Sequence, residues 1–322
     1  MNIIKHTYRF FRKRMKRLLC TPDTPFGAIL MLHSIDDPDE QKLWANENLK
    51  LSPKTLAELI EYGKAHGCEF VSLDELCDAI KHKRHKRKLI AMTIDDGYRN
   101  NFEKGLPVFE KYEVPFCINV TTNVVEGKML YWWYVLENLL LAHDQLRLNT
   151  GQVVSCAKKE EKEKAFYTIG DTFLAMHQMD LKKHFKELLP DYDYDENYGA
   201  ADMGMTWEQV QQLTTHPLAT LGNHTVSHPY MQNCTIAETE AEVKEAQEIL
   251  RLHLSQEMKT FAFPYGSYTE EERQMIKRMG FTSIQTVEWD YVQYGTDVFA
   301  LPRMGVNERT WKEVMNKIIA RC

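Results

Sequence analysis

Short apolar runs alternate with helix-patterned segments along this chain, and that rhythm limits its fold more than any other feature. Ala28–Leu32, Glu69–Ser72, Leu89–Ile94, Pro115–Val120, Leu218–Leu221, Thr260–Phe263 and Phe281–Thr286 read as strands. Ala28–Leu32 is continuously apolar, as a parallel strand covered on both faces is. Between and after the strands, Ser52–His66, Leu73–Ile80, Asn101–Tyr112, Ile236–Leu254, Thr269–Met279 and Thr310–Ala320 read as helices. Ser52 caps the first of these and Pro53 takes its opening position. Alternation of this kind implies an α/β fold with a parallel sheet, open or closed into a barrel. The stretch from Thr121 to Leu218 is too long for one crossover. Tyr131–His143, Lys158–Met179 and Leu181–Leu189 look helical within it, which marks a helical insertion at about 123–206. Inserts at that end of a barrel often border the active site.

Composition narrows the class. Among 322 residues, 43% are hydrophobic and 27% charged, enough for a packed core and unlike a disordered chain. A net charge of −6 argues against a nucleic-acid binder, which needs a basic surface for phosphates. The seven cysteines are irregularly spaced and include no C-x-x-C, so neither a disulfide framework nor a thiolate zinc site is expected. Buried free thiols suit a reducing compartment. No apolar run approaches the ~18 residues of a membrane span. The N-terminus lacks the apolar core of a secretory signal. Residues 1–24 instead read as a basic amphipathic helix, with Ile4, Tyr8, Phe11, Met15 and Leu18 on one face. Seven Lys or Arg and no acidic residue fall within positions 1–20. Such a helix can lie on an anionic membrane or dock on the acidic body of the protein. The expectation is a cytoplasmic protein, membrane-associated if the first option holds. The basic stretch Lys81–Lys88 reads as a solvated loop.

Three strand ends carry chemistry. Asp95 and Asp96 close the run Leu89–Ile94 and are followed by Gly97. Adjacent carboxylates repel and invite a cation, and a glycine lets the chain break so that both face one site. His224 and His228 follow Leu218–Leu221; four apart, they would share one face of a helical turn, a common metal-ligand spacing. Two imidazoles and one carboxylate leave a position open for water, as in catalytic zinc sites. Phe261-Ala262-Phe263-Pro264-Tyr265-Gly266 ends a third strand, where a turn can aim a backbone N–H at an oxyanion. Each motif alone is an ordinary turn or surface pair. Their shared position at the ends of parallel strands, where side chains of α/β folds converge, is what joins them.

Together these motifs resemble the polysaccharide deacetylase family, which includes the rhizobial chitooligosaccharide deacetylases. Thr93–Gly97 resembles the family's T-[FI]-D-D-G and Asn223–Pro229 contains its H-[ST]-x-x-H. Ala262–Tyr265 resembles R-x-P-Y with the arginine missing. The resemblance covers roughly residues 27–121 and 216–305. It implies a distorted (β/α) barrel of about seven parallel strands, in line with the seven strands read above. It also implies hydrolysis of an N-acetyl group on a sugar. Asp95 would be the catalytic base and Asp96, His224 and His228 the ligands of a divalent metal, most often zinc. The N–H of Tyr265 would steady the oxyanion. Pro264, Tyr265, Trp132, Trp133 and Arg303 are the candidate substrate-facing residues.

Two departures stand out. Ala262 replaces the arginine that orients the base in many members, and Arg303, after the last strand, is a candidate to reach in instead. No leucine-x-histidine motif, the usual source of the acid, occurs near the C-terminus. Members related to the biofilm poly-N-acetylglucosamine deacetylases carry their motifs in permuted order, with the acid on the first strand. Met31-Leu32-His33 resembles that arrangement, making His33 the expected acid. The expected substrate is an N-acetylated glycan or a lipid-linked sugar. The alternatives are an inactive glycan- or metal-binding module, and an amidohydrolase acting on a non-sugar amide.

Overall fold

The computed structural model describes residues 24–82 and 88–322. The expected basic helix, apart from its last residue, and the middle of the Lys81–Lys88 loop lie outside the described residues.

Eight parallel strands form the main sheet: β1 (Gly27–Leu32), β2 (Cys68–Val71), β3 (Lys88–Ile94), β4 (Phe116–Val120), then, beyond the insertion and its own small hairpin of β5 (Gln145–Arg147) and β6 (Val153–Ser155), β7 (Ala219–Asn223), β8 (Thr260–Ala262), β9 (Ser283–Gln285) and β10 (Met304–Gly305). Their order is β10-β1-β3-β4-β7-β8-β9, with β2 attached to β3. β1 pairs along Leu89–Ile94 on one edge of β3. On the other edge β2 takes Lys88–Ala91 and β4 takes Met92–Ile94, which splays the sheet and makes the barrel irregular. A parallel bridge from Gln285 to Leu301, just ahead of β10, brings the two ends of the sheet together. The seven strands on this path form the expected curled barrel, with β2 as an eighth attached to β3.

Every residue of β3 is buried, because helices cover its outer face and the barrel fills its inner one. Leu56, Leu59 and Ile60 of the helix Pro53–Ala65 pack on the outer face with Leu30, Ile90 and Met92. Ser52 accepts from Thr55 N–H at the start of that helix, as its sequence indicates. Inside, Ile29, Ala91, Cys117 and Leu301 fill the lower barrel.

The insertion has the three expected helices, Trp132–Ala142, Lys159–Leu174 and Leu181–Leu188, around a core of its own that includes Leu136, Leu140, Phe166, Phe173 and Phe185. Its hairpin was not expected from sequence, nor was the helix Trp207–Thr214, although the Thr206/Gln209 capping box marks the latter's start. No described helix is long and apolar enough to cross a membrane.

Candidate metal centre and active site

His33, Asp95, Asp96, His224 and Tyr265 follow β1, β3, β7 and β8, so the carboxyl ends of those strands gather them at one mouth, while Arg303, just before β10, reaches Asp95 from inside the barrel. Asp96 (φ 76°) and Gly97 (φ 92°) are both left-handed. This reverses the chain as β3 ends, so that adjacent side chains no longer alternate across a sheet. The strain at Asp96 is the kind retained at functional positions.

One oxygen or nitrogen from each of Asp96, His224 and His228 lies within 4.8 Å of the others, all three residues being buried. His224 Nε2 is 3.6 Å and His228 Nε2 3.3 Å from Asp96 Oδ1, which has no hydrogen-bond partner. His224 Nδ1 donates to the carbonyl of Ala262 at 2.8 Å, which aims Nε2 at the cluster. An unpartnered buried carboxylate oxygen facing two imidazole nitrogens fits a divalent cation. The pair does not lie on a helical turn as the spacing suggested. His224–His228 is an irregular loop in which Thr225 (φ 68°) and His228 (φ 58°) are left-handed.

Asp95 stands beside the cluster without belonging to it. Its Oδ1 accepts from Asn119 Nδ2 at 2.7 Å and from Arg303 Nη1 at 2.8 Å. Burial alone would raise its pKa, but the Arg303 guanidinium, with His224 and His33, holds it well below the usual carboxylate range. Burial likewise opposes ionisation of Asp96, and His224, His228 and His33 outweigh it. Asp95 and Asp96 keep His224 above its ordinary pKa despite burial. Burial and the neighbouring His224 drive His228 down to about 4, the neutral form a metal ligand requires.

Arg303 is 1% exposed. Besides Asp95, it donates to Thr286 O, Thr93 Oγ1 and Gln285 Oε1. Its hydrogen bonds are therefore made to Asp95 and to groups inside the barrel. The Trp132 ring packs among Phe166 and Phe173 of the insertion core, and its Nε1 donates to Tyr265 Oη at 3.0 Å. Trp133 lies edge-on to His228, with ring centroids 5.9 Å apart, and Tyr265 is closer at 4.5 Å. Tyr265 has φ 56°, and Pro264 beside it is buried. His33 follows β1, and its carbonyl accepts from Asn101 Nδ2. It lines a cavity of about 330 Å³ shared with Met31, Asn48, Trp289 and Asn307.

Sequence reasoning missed Asn119, Gln285 and Glu242. Asn119 is a polar residue inside the apolar strand β4, where an unpaired amide would be costly, and that mismatch was the available signal, whereas Gln285 lies among Ser283, Ile284 and Thr286 and offered none. Glu242 sits at a core-facing position of the helix Ile236–Leu254 and carries the same signal.

A curled parallel barrel with a buried Asp–His–His cluster and a separate carboxylate at its mouth is the frame of a metal-dependent hydrolase. The chain belongs to the polysaccharide deacetylase family, whose model matches residues 82–284. Several solved structures share the fold. A Streptococcus pyogenes deacetylase, PplD, solved with acetate, is 18% identical over 93% of this chain and 99% of its own, with a TM-score of 0.62. IcaB from Ammonifex degensii is 17% identical over 92% and 97%, with a TM-score of 0.60. The BpsB deacetylase domain of Bordetella bronchiseptica is 15% identical over 87% and 96%, with a TM-score of 0.54. No curated protein matches the chain in sequence.

Proposed function

We propose that this chain is a zinc-dependent deacetylase that hydrolyses the N-acetyl group of a sugar, in a glycan or a lipid-linked precursor met in the cytoplasm. The observation that carries this reading is Asp95. It is buried and held by Arg303 and Asn119, yet it is not part of the three-residue cluster. A site built only to bind would need the ligands and not this fourth group. The family supports a sugar substrate over another amide.

A divalent ion on Asp96, His224 and His228 would supply a Lewis acid for the acetyl carbonyl and acidify water. Asp95 takes a proton from the attacking water. The N–H of Tyr265, carried on a left-handed turn, donates to the oxygen that gains charge. The amine leaves only when protonated, and His33 gives it that proton. An acid at the end of β1 would match the arrangement of the permuted members of the family.

Mass spectrometry of N-acetylhexosamine conjugates tests the reading. Acetate should be lost with native enzyme, not with chelated enzyme, and again after zinc is restored. His224→Ala should lose most of its zinc by elemental analysis; full retention would remove this residue from the ligand set. His33→Ala should keep zinc and fold while its turnover of an N-acetyl substrate falls by at least ~100-fold. The loss should shrink for an acetyl ester with a good leaving group, which needs little protonation. Equal losses on both substrates would show that His33 is not the acid.

A further inference from the structure

The two histidines of the cluster are held differently. His224 has a carbonyl on its second ring nitrogen, whereas His228 Nδ1 is buried and has no hydrogen-bond partner. With no hydrogen bond on Nδ1, the direction of the His228 ring depends on the rings of Trp133 and Tyr265 packed against it and on the main chain that carries it. That main chain is unusual: Thr225 and His228 are both left-handed, at φ 68° and 58°. Non-glycine residues hold such angles only when their surroundings compensate.

One side chain supplies three of the hydrogen bonds that hold this loop. Glu242, 6% exposed on the helix Ile236–Leu254, faces the loop between the histidines. Its Oε2 accepts from the N–H groups of Val226 at 3.0 Å and Ser227 at 2.9 Å, and its Oε1 accepts from Ser227 Oγ at 2.8 Å. The opposite side of the loop is held by main chain, with Thr122 N–H and Asn123 N–H donating to the carbonyls of Thr225 and Val226. Two shorter ties complete it: Thr225 N–H donates to Asn223 Oδ1, and His228 N–H to Thr225 Oγ1. Of these contacts, only Glu242 brings a full charge to the middle of the loop. A buried carboxylate is costly unless charge-assisted hydrogen bonds satisfy it, and here all three recorded donors belong to the metal-site loop.

We infer that Glu242 is a positioning residue for the metal centre, whose grip on Val226 and Ser227 sets the direction of His228 and thereby the affinity for zinc. This rests on Asp96, His224 and His228 being the metal site.

The test is zinc affinity of the full chain, measured by competition with a chromogenic chelator, with the melting temperature of the zinc-free protein recorded alongside. Wild type should bind one zinc and His224→Ala should bind almost none. Glu242→Ala should bind zinc about 10- to 100-fold more weakly, the range seen when outer partners of metal ligands are removed. Glu242→Gln keeps an acceptor oxygen in place and should recover part of the loss. A brace with no bearing on the metal would lower the melting temperature and leave zinc affinity unchanged. Wild-type affinity in a folded Glu242→Ala therefore overturns the inference. If Glu242→Ala does not fold, Glu242→Gln and Ser227→Ala decide it, with weakened binding supporting the inference and unchanged binding in both overturning it. Wild type that binds no zinc overturns the metal reading and this inference with it.

Discussion

Asp95→Asn should leave zinc bound and remove nearly all deacetylation. Zinc is retained because the clustered ligand atoms come from Asp96, His224 and His228 and not from Asp95. Asparagine keeps the shape of the side chain and can still accept from Asn119 and Arg303, but it cannot take a proton from water. Loss of general-base catalysis costs ~10²–10⁴-fold. The substitution also leaves the Arg303 guanidinium buried without its counter-charge, so the melting temperature should drop. Turnover at saturating substrate, zinc per chain and thermal unfolding separate these effects. An Asp95→Asn enzyme within tenfold of wild type, fully loaded with zinc, would mean that another group accepts the proton.

Much of this site could be read before any coordinates, because its parts are fixed by local patterns that strands carry. β1, β3, β4 and β7 fall within two residues of the expected apolar runs, since a strand buried on both faces shows its bounds in hydrophobicity alone. The Asp95-Asp96 pair and the two histidines were legible for the same reason: they begin where those runs stop. What sequence could not show was the loop geometry. The spacing of His224 and His228 suits a helical turn, yet the chain keeps both left-handed residues because Glu242, Thr122 and Asn123 hold the loop from outside. Those contacts join positions far apart in sequence, which no local pattern encodes. Trp132 shows a different limit. An aromatic opening an insertion suits stacking on a ligand and packing in a core equally, and the packing partners Phe166 and Phe173 come more than thirty residues later. The two-residue strand β10 was too short to leave a periodic trace, and with it went any firm sequence argument for the position of Arg303.

Arg303→Met should destabilise the protein by about 3–5 kcal/mol at neutral pH and take most of the activity with it. Methionine is apolar and nearly as long, so the change tests charge and hydrogen bonds more than volume. Removing the guanidinium strips Asp95 of its counter-charge and leaves Thr286 O without its Nε donor. A buried carboxylate left with Asn119 as its main neutral donor should take up a proton far more readily. A proton on Asp95 disables the base, so activity falls even where the fold survives. The pH dependence has a definite sign. In wild type the pKa of Asp95 is depressed, so its contribution to stability is fully present above the unfolded carboxylate value, ~3.9, and is lost only as pH falls through the lower folded value. In Arg303→Met the folded value rises, so protonation relieves the unpaired charge already in mildly acidic solution. The stability gap between the two proteins should therefore be widest near pH 7 and narrow as pH falls toward 5. Urea unfolding of both proteins without zinc, at pH 7 and pH 5, measures it. A gap below about 1 kcal/mol at pH 7, or one that widens in acid, would mean that Arg303 does not hold Asp95 in its charged form.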